Sequence, residues 1–487
     1  MNMQNLSLND GLIIDFFAGG GGVSTGIEMA LGKSPDIAVN HDPEAIRIHK
    51  VNHPNTLHLT EDIFKVKLRD HVKGRHVALL WASPDCTSHS RAKGSKPIKK
   101  GLRILPWAVY KHAKYLLPDV IIMENVAEIQ KWGPLDENNH PIKGQEGTSY
   151  QKFIQSMMNL GYDFESRELV AADFGAPTTR KRWYAVFRRD GKPITWPTPT
   201  HNKYGTDGLQ KWKPIWPYLK LNELGTSIFG RKKPLAEKTM NRIARGLRKY
   251  VFENPTPFIV QVNHGGNSFR GQSVYEPLPT IIQKHGFGVV SPVCTDAELI
   301  LPHISKFYKS GTGQDLQEPI HTITTSPGHF GVVNIHAVPT EQLKTKLDGQ
   351  NSEEVIRKCT WVSQYLMEYY GCGTGQNLTD PIHTIVSKDR FALISVLGNQ
   401  YVILDICLRM LSPEELKLGQ GFPKDFILDH DINWKKCTIQ NQVARIGNSV
   451  VPIMAQQLVE ANCSYLKVGE RVPNLLVDDS EPQLKFA

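Results

Sequence analysis

An apolar run, LIIDFF, passes directly into four glycines and then into a helical pattern (residues 12–31), and this order limits the possible folds more than any other feature. A glycine-rich turn between a strand and a helix belongs at the carboxyl edge of an open α/β sheet. There the backbone approaches a ligand at a distance that side chains would prevent. The same rhythm continues to about residue 190. Residues 12–17, 37–40, 77–82, 119–123 and 183–188 read as strands, and 23–31, 43–52, 105–116 and 150–160 as helices. The alternation predicts βαβ units around a mostly parallel sheet. The turn itself leaves its ligand open: a dinucleotide, a phosphate or an adenosyl cofactor would suit it, and so would no ligand at all.

Composition excludes several classes. Of 487 residues, 22% are charged and 40% hydrophobic, a globular balance rather than that of a disordered chain. No apolar run reaches the roughly 18 residues that span a bilayer. The first residues, MNMQNLSLNDG, lack the basic flank and apolar core of a signal peptide, so a cytoplasmic protein is expected. The cysteines at 86, 294, 359, 372, 407, 437 and 463 are scattered with no CxxC pair. This predicts neither a disulfide framework nor a metal site, and fits a reducing compartment. The net charge is +9, and residues 203–250 hold twelve Lys/Arg against three Asp/Glu. That segment suits a polyanion partner, or forms a solvated basic face.

Near Lys192 the texture changes to ITWPTPTHNKYG, and the basic tract with Trp212 and Trp216 follows. Three related segments come next: 271–281 (GQSVYEPLPTI), 313–323 (GQDLQEPIHTI) and 375–385 (GQNLTDPIHTI). Their shared prolines, Pro277, Pro319 and Pro381, are 42 and 62 residues apart, and a helix over 353–369 fills the longer interval. Each copy runs on to an apolar segment ending near Val290, Val333 or Val396, which predicts a β-rich region of three repeated units. Helical patterns return at 412–419, behind a Ser-Pro-Glu-Glu start, and at 451–465.

Three further groups carry chemistry. Cys86, in ASPDCTSHSRAKG, leaves the strand 77–82 on the same edge as the glycine turn. Arg91, Lys93, Lys96, Lys99 and Lys100 follow it and favour a thiolate, whereas Asp85 opposes one. Glu124, in IIMENV, ends another strand on that edge, as a functional acid or as the partner of an arginine. Arg180 and Arg182, in TTRKRWYAVF, project the same way from an extended segment.

Taken in order, DFFAGGGGVSTG, SPDC, ENV, TxRxR, RMLSPEELKLGQGFP and GNSVVP resemble the cytosine carbon-5 DNA methyltransferase family. The blocks cover roughly 12–189 and 409–458, and the middle region corresponds to that family only by position. The resemblance implies a Rossmann-like α/β S-adenosylmethionine-dependent methyltransferase domain with an inserted β-rich target-recognition domain. The expected division is 1–195 and 401–467 for the catalytic domain, 196–400 for the DNA-binding region and 468–487 for a polar tail.

It also implies roles. Cys86 adds to carbon 6 of a flipped-out cytosine, Glu124 holds ring nitrogen 3, Arg182 holds the ring oxygen, and Arg180 supports the loop or a phosphate. The implied cofactor is S-adenosylmethionine, held by Phe17, Gly19, Gly21 and Gly22, with Asp62 and Ile63 at the adenine and Asn448 at the methionine side. Asp15, Ala18, Asn40, His41, Pro84, Leu105, Ser449 and Val450 complete the expected cradle. Double-stranded DNA is the expected partner, bound by a monomer. Phosphate contacts are assigned to Arg231, Lys232, Lys233, Arg242, Arg245 and Arg248, base contacts to Gln314 and Gln376 in the repeat loops, and a further contact to Ser90. The repeats read equally as packing motifs of a β domain. A companion restriction endonuclease is possible for such a protein.

Four positions depart from the family pattern: Asn40 stands for the ribose-binding acid, Asp85 for the proline before the nucleophile, Thr87 for a glutamine, and Thr178 for the first glutamine of QxRxR. A catalytically silent DNA-binding member, a tRNA-acting relative and an unrelated nicotinamide dehydrogenase are the competing readings.

Overall fold

The computed structural model describes residues 11–86, 100–247 apart from 221, 222 and 224, and 399–468. Between 258 and 396 it describes the strands, a helical stretch and isolated positions.

The first half is a seven-stranded sheet of order β3-β2-β1-β4-β5-β7-β6. Its strands are β1 (Leu12–Phe16), β2 (Ile37–Val39), β3 (Leu57–Leu59), β4 (Val77–Ala82), β5 (Val120–Asn125), β6 (Asp163–Val170) and β7 (Lys181–Arg188). Strands β1 to β5 run parallel, and β7 runs antiparallel to both β5 and β6. The helices are α1 (Gly22–Leu31), α2 (Pro43–Asn52), α3 (Leu68–Val72), α4 (Lys100–Arg103), α5 (Leu105–Leu116) and α6 (Thr148–Met158).

Both faces of β1 are covered, which is why LIIDF is apolar almost throughout. Leu12, Ile14 and Phe16 join one core with Val109 and Ala113 of α5, whereas Ile13 faces α1 and the last helix, Pro452–Cys463. Helix α2 is started by the Asp42 side chain, which accepts from Glu44 N, and by Pro43 at its first position. Strand β6 was not anticipated. It lies at the sheet edge, its DFESRELV shows no buried apolar stripe, and only its ladder with β7 identifies it.

The C-terminal segment is part of this half. Asn462 of the last helix donates to Thr195 O and accepts from Thr195 N and Arg188, so it staples the chain leaving β7. Helix Pro413–Gly419 starts with a full capping box between Ser412 and Glu415. Glu415 is buried and also receives Arg409 through two nitrogens and the backbone N–H of Lys220, which fixes both chain crossings between the halves.

A second sheet of nine strands, mostly antiparallel, is built from residues 226–410. Its longest strands are Glu298–Lys306, Phe330–Pro339 and Asn399–Met410. Strand Asn399–Met410 carries this sheet ten residues past the boundary expected at 400, and we propose that the catalytic half resumes at Leu411. Corresponding positions of the first two expected copies pair with each other. Pro279 pairs in parallel with His321, which stands 42 residues later, the offset of the first two copies. Phe287 and Gly288 likewise pair in parallel with Phe330 and Gly331. Of the helix expected over 353–369, residues 353–359 and 361–362 are helical and the remainder lies outside the described residues.

Candidate active site

Strands β4 and β5 end side by side, and their exits are locked together. Asn125 Nδ2 donates to Pro84 O at 3.0 Å, while its Oδ1 accepts from Val126 N at 2.9 Å. The residue before it, Glu124, pairs in the ladder with Tyr184 of β7, and Asn125 pairs with Trp183. This register brings Arg182 against Glu124, with Nε 3.2 Å from Oε1, both side chains more than nine-tenths buried. The contact is an ion pair without hydrogen-bond alignment: among the described residues, Glu124 Oε1 and Arg182 Nε are both buried without a hydrogen-bond partner. Arg182 is steadied from behind by donation from Nη1 to Lys181 O at 2.7 Å.

Cys86 sits where these groups converge. Burial pushes its thiol up to about 11, with Glu124 and Asp85 acting in the same direction and Arg182 and Arg180 against it. The direction of the shift favours the thiol over the thiolate at neutral pH. Of the two roles expected for Arg180, supporting the loop or a phosphate, its geometry fits the first: it is buried and donates from Nη1 to Gly447 O at 3.2 Å. Arg180 ties the β7 entry to helix Ile439–Asn448, the helix that ends in the GNSVV segment. Asn125 was overlooked in the sequence, although ENV displayed it beside Glu124.

The glycines of the turn differ in what their side-chain faces meet. Gly19 (φ +54°) has open space on its side-chain face, meeting only its neighbour Phe17 O at 3.7 Å. Gly21 (φ +110°) does not: a Cβ there would lie 3.1 Å from the His53 ring and 3.5 Å from Phe426. At Gly22 a Cβ would overlap Ser449 Oγ at 1.9 Å, and at Gly26 it would lie 2.3 Å from Pro452 O. Gly21, Gly22 and Gly26 are thus bare because protein packs against them, and Gly19 is the position in the turn with room for a ligand. Phe17 adopts φ +60°, a conformation rare outside glycine and asparagine, and Ala18 beside it is buried.

Asp15 lies fully buried under the turn. Ser24 donates to its Oδ2 at 2.8 Å, while Oδ1 has no hydrogen-bond partner. Burial pushes its carboxyl up to about 8, and the Ser24 bond only partly offsets that. With the Ser24 proton directed to Asp15, His49 Nε2 donates to Ser24 Oγ (2.9 Å) and His49 Nδ1 accepts from His58 (2.8 Å). Burial holds His49 well below the usual histidine range, so the chain of groups stays neutral. Asp15 supports the turn from beneath it.

The remaining cradle residues occupy the same sheet edge. Asn40 turns its Oδ1 inward to accept from Asp42 N at 2.9 Å, forming a local turn. Asp42 in turn pairs with Arg445 at 2.7 Å, and the Arg445 stem packs under Gly20. Asp62 is exposed with Oδ1 accepting from Phe64 N, and Ile63 is buried with its carbonyl accepting from His112 Nε2 at 2.7 Å. Leu105, at the start of α5, is partly buried, and His41 is exposed. Asn448 is exposed at the end of its helix, followed by the buried pair Ser449 and Val450, with Ser449 O accepting from Gln420 at 3.2 Å. Pro84 is buried, two residues before Cys86.

Among the expected DNA contacts, Arg231 is corrected: its guanidinium donates to Ser227 O, Thr226 O and Leu408 O, a tie within the fold. Lys232 and Lys233 are exposed. Arg242 and Arg245 lie on α7 (Glu237–Leu247). Ser90, Arg248, Gln314 and Gln376 lie outside the described residues, as do Thr87 and the lysines that follow Cys86 up to Lys99.

The sequence model of the C-5 cytosine-specific DNA methylase family matches residues 12–257, half of the chain. The chain belongs to that family. It is 28% identical over 244 residues to the type II methyltransferase M1.HphI of Haemophilus parahaemolyticus, covering 49% of this chain and 60% of that protein. It is also 28% identical over 201 residues to the type II methyltransferase M.AquIA of a Picosynechococcus strain, covering 39% of this chain and 76% of that one. Among solved structures, a DNMT2 variant of Spodoptera frugiperda matches with a TM-score of 0.45 and 15% identity, over 93% of this chain and 99% of that one.

Proposed function

We propose that the protein methylates carbon 5 of a flipped-out cytosine in duplex DNA, with S-adenosylmethionine as the methyl donor. One observation carries this reading: Cys86, Glu124 and Arg182 meet on one sheet edge, and the facing atoms of the last two are buried with their hydrogen bonds unmet. An unsatisfied buried carboxylate oxygen and guanidinium N–H are costly unless a ligand supplies the missing partners. The Watson–Crick edge of cytosine offers a carbonyl oxygen that accepts from the guanidinium and a ring nitrogen that, once protonated, donates to the carboxylate.

Glu124 would hold ring nitrogen 3 and deliver a proton to it, while Arg182 holds the ring oxygen. The Cys86 sulfur then bonds to carbon 6, which makes carbon 5 nucleophilic. Arg182 and Arg180, which oppose the upward shift of the Cys86 thiol, would favour the thiolate that forms as the thiol proton passes to solvent. Bound S-adenosylmethionine supplies an electrophilic methyl group. Gly19 leaves room for it, and Phe17, Asp62, Ile63, Asn448 and Val450 would hold it. Loss of the carbon-5 proton and departure of Cys86 restore the aromatic base. The lysines Lys232 and Lys233, and the arginines of α7, would lie along DNA phosphates, with the repeat loops at the bases.

Duplex containing 5-fluorocytosine tests the reading, because fluorine cannot leave as a proton. Incubated with S-adenosylmethionine, the parent protein should form a complex stable to denaturation and Cys86→Ala should form none. Trapping by the alanine variant would remove Cys86 from the chemistry.

A further inference from the structure

Between β7 and the second sheet the chain forms a compact loop, residues 201–213, to whose side chains no individual role has been assigned. One side chain organises it. Asn202 Oδ1 accepts from the backbone N–H groups of Tyr204 (3.0 Å), Gly205 (2.6 Å) and Thr206 (3.1 Å). Its Nδ2 donates to Thr206 O (2.9 Å) and Oγ1 (3.1 Å). Gly205, Asp207 and Gly208 take positive φ, and His201–Asn202 pairs with Gln210–Lys211, so the loop is a closed knot and not a slack connection.

The knot stands on the catalytic edge. Trp212 Nε1 donates to Asp173 Oδ1 at 2.8 Å, and Thr200 N donates to Asp173 O at 2.9 Å. A Cβ on Gly175 would lie 2.8 Å from the His201 ring, so the two segments are in close contact. Asp173 and Gly175 belong to the turn between the end of β6 and the start of β7. This turn leads through Thr178 to Arg180 and Arg182, beside the carboxyl end of β5 and Glu124.

What the loop presents outward is an aromatic ring among cations. Tyr204 is 74% exposed at the tip, with Lys203 Nζ 5.5 Å from its ring centroid. Lys211 and Lys213 are exposed on the return arm. The one acid of residues 203–213 is Asp207, which accepts from Thr206. A large ring held outward on a pre-ordered loop loses little conformational entropy on binding. Lysines beside such a ring suit a sugar–phosphate chain with stackable bases.

We propose that loop 201–213 is a DNA-seating element that clamps the duplex beside the flipped base. Lys203, Lys211 and Lys213 lie on phosphates, and Tyr204 lies against the backbone or the step next to the vacated position. The proposal rests on the duplex-DNA reading above.

The two contributions differ in salt dependence. With the full-length protein and a fluorescent duplex, Lys211→Ala/Lys213→Ala should weaken binding about tenfold at low salt. It should also flatten the plot of log Kd against log salt by about 1.8, at ~0.9 per phosphate. Tyr204→Ala should weaken binding by about tenfold at every salt concentration with an unchanged slope, and Tyr204→Phe should bind like the parent. If the parent binds duplex and all three variants match it, the clamp is wrong while the DNA reading survives. If the parent binds no duplex, both fail. If the variants lose affinity for a structured RNA and not for duplex DNA, the assigned partner is wrong.

Discussion

The Cys86 edge and the glycine turn lie at the same end of one sheet, yet their surfaces are built differently. Around Cys86 the protein buries polar atoms and leaves them unmet: Glu124 Oε1 and Arg182 Nε face each other at ion-pair distance without a hydrogen bond. Around the glycines an unmet polar atom, Asp15 Oδ1, lies beneath the turn, and the bare backbone itself is packed against. Three of the apparent openings, Gly21, Gly22 and Gly26, are filled by His53, Ser449, Val450 and Pro452. The comparison shows how to separate a ligand site from a packing site. Unmet hydrogen bonds in a buried cluster ask for a partner, whereas a missing side chain does so only where nothing else occupies the space.

Substituting at each edge would break this contrast if it is wrong. Glu124→Ala removes a proton donor from the reacting ring and should lower turnover by about 10²–10⁴, with little change in cofactor affinity measured by calorimetry. A cofactor affinity that falls in step with turnover would mean the two edges are a single site.

At the turn, Gly26→Ala forces a methyl group onto the Pro452 carbonyl and should cost about 3 kcal/mol, or prevent folding, seen as a drop in urea midpoint. Gly19→Ala has room for its methyl. It should keep the fold at a cost of about 1–2 kcal/mol for its left-handed backbone and weaken S-adenosylmethionine by roughly tenfold or more. Equal effects in the two variants would abolish the distinction.

Asp15 gives a pH signature. Its folded pKa of about 8 lies above the value near 3.9 of an unfolded chain, so the folded protein holds a proton that the unfolded one releases. The stability that this proton represents is complete below about pH 4 and is lost as the pH rises through 8. The parent should therefore lose a few kcal/mol between those limits, and Asp15→Asn should show a flatter profile in urea melts at pH 5 and pH 8. A profile unchanged by the substitution would place the titration elsewhere.

The mildest test is alkylation. A Cys86 thiol held up to about 11 should react with iodoacetamide slowly at pH 7 and roughly tenfold faster per pH unit up to pH 9. A plateau already at pH 8 would show that the free protein carries a preformed thiolate.

Much of the fold was legible along the chain. Strand β4 and helices α2 and α5 fall on their expected residues, because apolar periodicity, Asp42 and proline starts mark them locally. Strand β6 escaped because an edge strand with no buried apolar face carries no such mark. Cys86, Glu124 and Arg182 were legible as residue types in ordered motifs. Asn125 was in plain view in ENV, but its bond to Pro84 O spans 41 residues and has no local trace.

Sequence alone determined the family, the parallel sheet and the candidates for the chemistry, since these follow from short-range patterns and from side-chain reactivity. Tertiary structure decided how the neighbouring groups are used. Gly19 and Gly26 look alike in the chain, but one faces open space and the other the backbone of the last helix. Arg180 and Arg182 stand two residues apart, but one is tied to Gly447 and the other faces Glu124. Packing is a property of what arrives from distant parts of the chain, and close packing admits only one occupant at each position.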